Sequence, residues 1–117
     1  MIREVSYLMA GKEKQFEMRI RRYIESKGGF CVKYFGCAYS TSGIPDLICT
    51  VNGHFLAIEV KADTGKPSEL QLVKIADIRK AGGFAYVAYP TGWKKLKDII
   101  DGLLIDKFNR EEDVELR

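Results

Sequence analysis

Three charged side chains stand in stretches of sequence that otherwise look like buried β-strand. Asp46 opens the run DLICTV, and Glu59 and Lys61 lie in the run HFLAIEVKA, which begins at residue 54. Both runs are rich in apolar and β-branched residues, a composition typical of strands inside a sheet. Because burying an unpaired charge is costly, we expect these side chains either to pair with one another or to bind a ligand.

The spacing of the three charges indicates where they meet. Side chains alternate between the two faces of a strand, so Glu59 and Lys61 point the same way. The dipeptide Asn52-Gly53 between the two runs is a strong signal for a tight hairpin turn. Antiparallel pairing then brings Asp46 to the same end of the sheet as Glu59, and two carboxylates meet there with one basic side chain.

This combination of groups predicts metal-assisted hydrolysis of a phosphodiester. Two carboxylates and a backbone carbonyl, for which Val60 is the candidate, suit a hard divalent cation such as Mg²⁺ or Mn²⁺. Lys61 beside the metal can position or deprotonate a water, or stabilise charge that develops on a phosphate. For Glu59 and Lys61 taken alone, a purely structural ion pair is the alternative interpretation.

Periodicity and turn signals predict the elements that carry these residues. Apolar residues at helical spacing, with glycine or cap signals at the ends, predict helices over residues 12–27, 68–81 and 93–108, the last one broken near Gly102. Runs of β-branched and aromatic residues predict strands over residues 30–35, 46–51, 54–62 and 84–89. Residues 37–45 are expected to form a loop, and the polar tail 109–117 is expected to fray.

The predicted order of elements is α-β-β-β-α-β-α. This order indicates an α/β fold with a central mixed β-sheet flanked by helices on both faces. The crossover from the third strand to the fourth through a helix should be right-handed, with the two strands parallel. A length of 117 residues fits a single domain over residues 1–117.

Composition limits the environment and the partners. Hydrophobic residues make up 46% and charged residues 30%, which favours a folded globular protein. No apolar run approaches the roughly 20 residues of a membrane span, and the N-terminal stretch does not resemble a signal peptide. Three cysteines without an export signal indicate reduced thiols and a cytoplasmic location. The net charge of +3 permits a polyanionic partner.

The sequence resembles a known family of nucleases. IPD at 44–46 followed by IEVK at 58–61 is similar to the PD-(D/E)xK nuclease signature. The longer strings SGIPDLI, IEVKADTGKPSELQ and AGGFAYV, after a leading helix with an acidic residue, resemble the VRR-NUC branch, the virus-type replication-repair nucleases. The resemblance covers roughly residues 12–95.

The resemblance implies a restriction-endonuclease-like core and cleavage of DNA that depends on Mg²⁺ or Mn²⁺, often at branched or flapped structures. Stand-alone small members occur in phages, where the location would be the host cytoplasm. They are similar to Holliday-junction resolvases and are expected to act in DNA repair as homodimers.

The family pattern also implies roles for individual residues. Asp46 and Glu59 would bind metal, Lys61 would serve the attacking water, and Gln71 would orient the substrate or the lysine. Gln71 lies three residues after Ser68, so it also fits a capping box at the start of a helix. The two roles of Gln71 are compatible.

A glutamate of the first helix would complete the metal site. Glu13 fits the VRR-NUC spacing to Phe16 and Ile20, whereas Glu17 fits a resolvase-like spacing. The two lie one turn apart on one helix face. Glu13 is preferred and Glu17 is retained as the alternative, with the other acid expected to pair with Arg21.

Several residues are candidates for contact with DNA. Ser42 lies in the loop before the motif, where it can donate a hydrogen bond to phosphate. Lys33 and Lys66 are candidate phosphate contacts, and Arg21 and Arg22 belong to the basic stretch RIRRY. An ordinary loop residue or a solvated helix face is the alternative interpretation of each.

Aromatic side chains around the same loop have two possible uses. Tyr34, Phe35 and Tyr39 can stack on splayed bases, but packing in the core or at the sheet edge is the expected use. The sequence as a whole predicts a metal-dependent endonuclease for branched DNA such as four-way junctions. The alternatives are a flap-specific or duplex-specific nuclease of the same fold, or a catalytically silent nucleic-acid-binding module.

Overall fold

The computed structural model describes residues 11–108 and 110–117. The N-terminal stretch, for which the sequence predicts no signal peptide, lies mostly outside these residues. Within them the helices are α1 (Lys12–Ser26), α2 (Glu69–Lys80) and α3 (Trp93–Leu104). The strands are β1 (Phe30–Lys33), β2 (Leu47–Val51), β3 (His54–Val60), β4 (Phe84–Ala88) and β5 (Glu115–Leu116). No helix in the described part of the chain is both long and apolar enough to cross a membrane.

The strands form one mixed sheet in the order β1-β2-β3-β4-β5. β1, β2 and β3 form an antiparallel meander, whereas β3 pairs with β4, and β4 with β5, in parallel. The tight turn between β2 and β3 contains Asn52 at φ 49° and Gly53 at φ 79°, the left-handed conformation that this dipeptide tolerates. The predicted α/β class and the mixed sheet are confirmed.

Apolar side chains bury both faces of the sheet. On one face, α1 and α3 pack against the strands through fully buried residues such as Ile20, Ile58 and Ile100. On the other face, α2 contributes Ile75 to a smaller cluster with Ala57 and Tyr89. Helices on both sides therefore hold the strands that carry the predicted site residues.

The helix starts agree closely with the sequence prediction, whereas α3 ends at Leu104 and not at residue 108. The side chain of Ser68 accepts a hydrogen bond from the Gln71 N–H, and the Gln71 side chain accepts one from the Ser68 N–H, so the predicted capping box is present. α3 continues without interruption through Gly102 to Leu104, so the predicted break was wrong. The apolar contacts of Ile99, Ile100 and Leu103 hold the helix together across the glycine.

The expectation of a frayed C-terminal tail was also wrong. Leu116 is fully buried, and Glu115–Leu116 pairs with β4. The Val87 N–H donates to the Val114 carbonyl at 2.8 Å, and the Tyr89 N–H donates to the Leu116 carbonyl at 3.2 Å. A strand of two residues is too short for its alternation to be recognised in a polar stretch.

Gly92 makes the tightest backbone approach to this last strand. A Cβ atom built on Gly92 would lie 2.0 Å from the Leu116 carbonyl oxygen. We therefore predict that Gly92→Ala displaces β5 and lowers the free energy of unfolding by about 1–3 kcal/mol, the usual range for overpacking. Urea denaturation measures the change.

Gly36→Ala is the matched control, because a Cβ at Gly36 would meet only the Ser40 hydroxyl at an ordinary 3.7 Å. Equal stability of the two variants would contradict the packing of Leu116 against Gly92.

Candidate active site

The candidate site lies where β2 begins and β3 ends. Leu47 pairs with Ile58, so the same register places Asp46 opposite Glu59. The Asp46 N–H donates to Glu59 Oε1 at 3.2 Å, and the Val60 N–H donates to Asp46 Oδ2 at 2.9 Å. Each carboxylate is thus held by a peptide N–H of the neighbouring strand, a reciprocal arrangement that we call the carboxylate clasp.

Glu59 is buried, with only 2% of its surface exposed. Its Oε2 accepts a hydrogen bond from Gln71 Nε2 at 2.9 Å and lies 3.2 Å from Lys61 Nζ. Burial, followed by the negative charge of Asp46, raises the pKa of Glu59 to about 7, against the opposing effect of Lys61. A further positive charge at this position would therefore favour the ionised form of Glu59.

Lys61 follows directly after β3 and remains tied to the sheet. Its N–H donates to the Ala88 carbonyl at 3.0 Å, which continues the pairing of β3 with β4. About a fifth of its side chain is exposed. The ammonium group is therefore held against Glu59 and still reaches solvent.

Gln71 links the start of α2 to the site. Its Oε1 accepts from the Ser68 N–H at 2.8 Å while its Nε2 donates to Glu59. One amide thus caps the helix and orients a buried carboxylate. The two uses that the sequence left open for Gln71 are geometrically compatible.

The two glutamates of α1 lie in different surroundings. Glu17 is buried, and its two oxygens bind Lys33 and Lys14. Burial opposes ionisation of Glu17, but the hydrogen bonds and charges of the two lysines outweigh it and lower the pKa of this carboxyl. Glu13 is exposed and accepts a hydrogen bond from the Ala62 N–H at 3.2 Å. In the structure, Lys33 bridges Glu17 and Asp46. Glu13 lies beside the backbone of Ala62, directly after Lys61.

Lys33 has a position that the sequence did not suggest. At the end of β1 its Nζ lies 2.5 Å from Glu17 Oε1 and 3.5 Å from Asp46 Oδ1. Burial disfavours its charge, but Glu17 and Asp46 outweigh burial and raise the pKa of Lys33. Antiparallel pairing of β1 with β2 was the available signal, because it puts the last residue of β1 beside the first residues of β2.

The other predicted DNA contacts lie outside this cluster. Ser42, Lys66 and Arg22 are exposed, and Arg21 is half-buried on α1, one turn after Glu17. They occupy the loop before β2, the loop after β3 and the α1 surface. The structure does not bring these side chains together with the carboxylates.

The aromatic residues of the loop after β1 are not packed as expected. Phe35 is 77% exposed and Tyr39 is fully exposed. The loop itself is braced: the Tyr34 N–H donates to the Asp46 carbonyl at 2.7 Å, and the Tyr34 hydroxyl donates to the Thr41 carbonyl at 3.1 Å. For Phe35 and Tyr39 the prediction of core or edge packing was wrong, because both belong to the connection between β1 and β2 and are exposed there.

The oxygens at the start of β2 and the end of β3 suit a divalent cation. Asp46 and Glu59 converge there, and the Val60 carbonyl faces the same side as its N–H, which binds Asp46. The Lys33 ammonium lies between Asp46 and Glu17, on the α1 side of the same sheet end. Among the described residues no three His, Cys, Asp or Glu side chains form a ready-made cage. Mg²⁺ sites are commonly built from one or two carboxylates completed by water and substrate phosphate.

Known proteins share the sequence pattern and the fold of this chain. The sequence model of the VRR-NUC domain family matches residues 32–91. A solved structure described as a VRR_NUC domain is similar with a TM-score of 0.64 and 25% identity, over 79% of this chain and 97% of that one. A comparison with curated protein sequences gave no match.

A second solved structure is the Archaeoglobus fulgidus protein Hjc, described as a Holliday junction resolvase from an archaeal hyperthermophile. It is similar with a TM-score of 0.50 and 25% identity, over 64% of each chain.

The chain belongs to the VRR-NUC domain family, a family of nucleases. The family match begins inside β1 and ends after β4, and this stretch includes the carboxylate clasp and Lys61. The restriction-endonuclease-like core implied by the resemblance is confirmed by the shared fold.

The raised pKa of Glu59 predicts a pH dependence of stability in metal-free protein. In the unfolded chain Glu59 titrates near 4.5 and in the folded protein near 7. The contribution of Glu59 to the free energy of unfolding is fully present below about pH 4.5. It is lost as the pH rises through about 7, and the loss is about 2–3 kcal/mol. Urea unfolding in EDTA across this range should show wild type losing stability relative to Glu59→Gln.

Glu59→Gln is the reference for wild type, because its side-chain amide has the same shape as the carboxyl group but does not titrate. The pKa of Glu17 is lowered from its ordinary value of 4.5, so Glu17 changes the free energy of unfolding with pH only below pH 4.5. This lies outside the range in which Glu59 acts. Parallel pH profiles for wild type and Glu59→Gln would contradict the prediction.

Proposed function

We propose that this chain is a divalent-metal-dependent DNA endonuclease that acts on branched or structured DNA such as four-way junctions. The observation that carries the proposal is the carboxylate clasp with Lys61 beside it: Asp46 and Glu59 hold each other at one sheet end, and Lys61 Nζ lies 3.2 Å from Glu59 Oε2. Membership of a nuclease family supports hydrolysis of a phosphodiester as the reaction.

The metal site would be formed by Asp46, Glu59 and the Val60 carbonyl, with Glu17 as the acid from α1. Mg²⁺ or Mn²⁺, when bound, polarises the scissile phosphate and lowers the pKa of a water. Burial and hydrogen bonding keep the carboxylates in place before any ligand arrives, since the Val60 N–H fixes Asp46 and Gln71 fixes Glu59. Such preorganisation limits the reorganisation needed during reaction.

Lys61 acts on the water and on the phosphate. Its ammonium is anchored to Glu59 and partly exposed, so it keeps donors for a water that attacks the phosphorus and for an oxygen on which negative charge develops. Gln71 is a positioning residue, because its amide holds the carboxylate that in turn holds Lys61. Glu59 thus connects the helix cap to the reacting end of the lysine.

Two observations support branched DNA as the substrate. The similar structure of Archaeoglobus fulgidus Hjc is described as a Holliday junction resolvase. Phe35 and Tyr39 are exposed in a braced loop whose base is bonded to Asp46, where unpaired bases near the scissile phosphate can stack on them. Lys66, Arg21 and Arg22 would bind the backbone of the duplex arms, so binding should weaken with salt.

The proposed assembly is a homodimer, since a junction with two-fold symmetry needs two matched sites. Exposed apolar side chains support a second copy as the partner: Phe30, Val32 and Phe55 lie on the sheet face that α2 leaves partly uncovered, and Val73 lies on α2 itself. Light scattering after gel filtration should give twice the chain mass of 13.3 kDa. A monomer at micromolar concentration would contradict the dimer.

The proposed location is the cytoplasm, or the host cytoplasm if the chain is phage-encoded. All three cysteines are free thiols, and Cys31 and Cys49 face each other in the core between β1 and β2. Reduced thiols are typical of that compartment.

The cleavage test uses labelled four-way junction, 5′-flap, 3′-flap, splayed-arm and plain duplex DNA, each with Mg²⁺, Mn²⁺ or EDTA. Wild type should nick the junction symmetrically only with metal. Lys61→Ala should lower the rate at least about a hundredfold with little loss of junction binding, since a donor to the transition state is removed.

Lys107→Ala is the matched control, an exposed lysine near the opposite end of β3, next to the Asp106 that bonds His54. Preferred cutting of a flap or of plain duplex would keep the site and replace the substrate. Metal-independent binding with no cleavage of any substrate would leave a silent nucleic-acid-binding module.

The two α1 glutamates can be separated by matched amide substitutions. Glu17 is buried beside Asp46 through Lys33, whereas Glu13 is exposed and contacts the Ala62 N–H. We predict that Glu17→Gln lowers the junction cleavage rate by about a hundredfold or more and that Glu13→Gln changes it much less. Rates are compared in Mn²⁺ on variants whose folding is verified by circular dichroism. The reverse order would assign the role to Glu13.

A further inference from the structure

The Lys33 ammonium is the only side-chain cation among the described residues that joins an α1 carboxylate to the clasp. It binds Glu17 on α1 at 2.5 Å and lies 3.5 Å from Asp46 at the start of β2. Only about a fifth of the Lys33 side chain and 3% of the Glu17 side chain are exposed. The contact is thus an ion pair set into the fold rather than a surface pair.

The carboxylates need a cation at this point. Glu17, Asp46 and Glu59 are three acids at one end of the sheet, and two of them are buried. Buried carboxylates without a compensating charge are strongly unfavourable. Lys61 compensates Glu59, and Lys33 compensates Glu17 and Asp46 together.

A metal ion at the proposed site would use the same oxygen that faces Lys33. Asp46 Oδ2 accepts the Val60 N–H, whereas Oδ1 faces the Lys33 ammonium, so Oδ1 is the oxygen better placed for a cation that takes the place of Lys33. An ammonium and a divalent cation repel each other at such close range. The two therefore compete for one position between Glu17 and Asp46.

We propose that Lys33 is the resident counter-cation of the metal-free site and is displaced when metal binds. The inference rests on the proposed function, because it assumes the metal site at Asp46, Glu59 and Glu17. Once released, Lys33 keeps its place at the end of β1, next to the loop of Tyr34 and Phe35. Its ammonium is then free to bind a phosphate of the substrate, so metal loading exposes a DNA contact.

Metal titration provides the test, with MnCl₂ added to protein in isothermal calorimetry. Lys33→Met removes the competing charge but keeps a similar chain length, and it should bind Mn²⁺ about tenfold more tightly than wild type, which corresponds to about 1.4 kcal/mol of competition from the ammonium. Its melting temperature should be lower than wild type in EDTA and should rise more on addition of Mn²⁺.

Lys14→Met is the matched control, because Lys14 binds the other oxygen of Glu17 and is about half exposed. Its Mn²⁺ affinity should stay close to that of wild type. Unchanged or weaker Mn²⁺ binding by Lys33→Met would overturn the proposal and make Lys33 a structural partner of Glu17. Asp46→Asn reports on the site itself: if wild type and Asp46→Asn bind Mn²⁺ equally, the metal site of the proposed function fails, whatever Lys33 does.

A second measurement uses wild-type protein, in case Lys33→Met does not fold. The side-chain ammonium resonance of Lys33, assigned through its own aliphatic carbons by NMR, should shift on addition of MgCl₂ more than that of Lys14. A Lys33 resonance that does not change while Mg²⁺ binds would show that the ammonium stays in place, and the proposal would be wrong.

Discussion

The carboxylate clasp is the interaction on which the rest of the site depends. Beyond the last backbone pair of β2 and β3, peptide N–H groups of Asp46 and Val60 bond to carboxylates instead of carbonyls. The side chains therefore extend the hairpin where the ladder stops. The register set by the turn at Asn52-Gly53 is essential, since a slip of one residue would send Glu59 to the opposite face of the sheet.

Charge balance explains why elements from both faces of the sheet converge at this point. α1 supplies Glu17 from one face, and α2 supplies Gln71 from the other. Lysines reach the carboxylates from β1 and from the end of β3, so both acids that are buried in the described part of the chain, Glu17 and Glu59, have a cation beside them. A site of this kind tolerates exchange of one cation for another better than loss of a cation.

Short-range rules were sufficient for much of this arrangement. Strand alternation and a two-residue turn placed Asp46, Glu59 and Lys61 at one end of a hairpin, and the cap at Ser68 located the start of α2. The family resemblance favoured Glu13 over Glu17, and the short-range rules did not indicate which of them is buried, because both lie on one helix face. Only the packing of α1 on the sheet determines which of them is buried.

Features that depend on long-range contacts were missed. Leu116 is buried because β4 has a free edge for it, and nothing in the polar sequence around it indicates a strand. Phe35 and Tyr39 are aromatic residues of the kind found in protein cores, but they lie exposed in the loop between β1 and β2. In the sequence Lys33 cannot be distinguished from a surface lysine. Only the pairing of β1 with β2 shows that it lies beside Asp46.

The meander of β1, β2 and β3 has a consequence for how the site is assembled. Lys33, Asp46 and Glu59 lie within residues 30–60, connected by antiparallel neighbours and a tight turn. Contacts that are close in sequence form fast, because little chain entropy is lost in closing them. The carboxylates can therefore meet their first cation as the hairpins form, before the parallel strands β4 and β5 complete the sheet, and the growing core need not enclose an uncompensated negative charge.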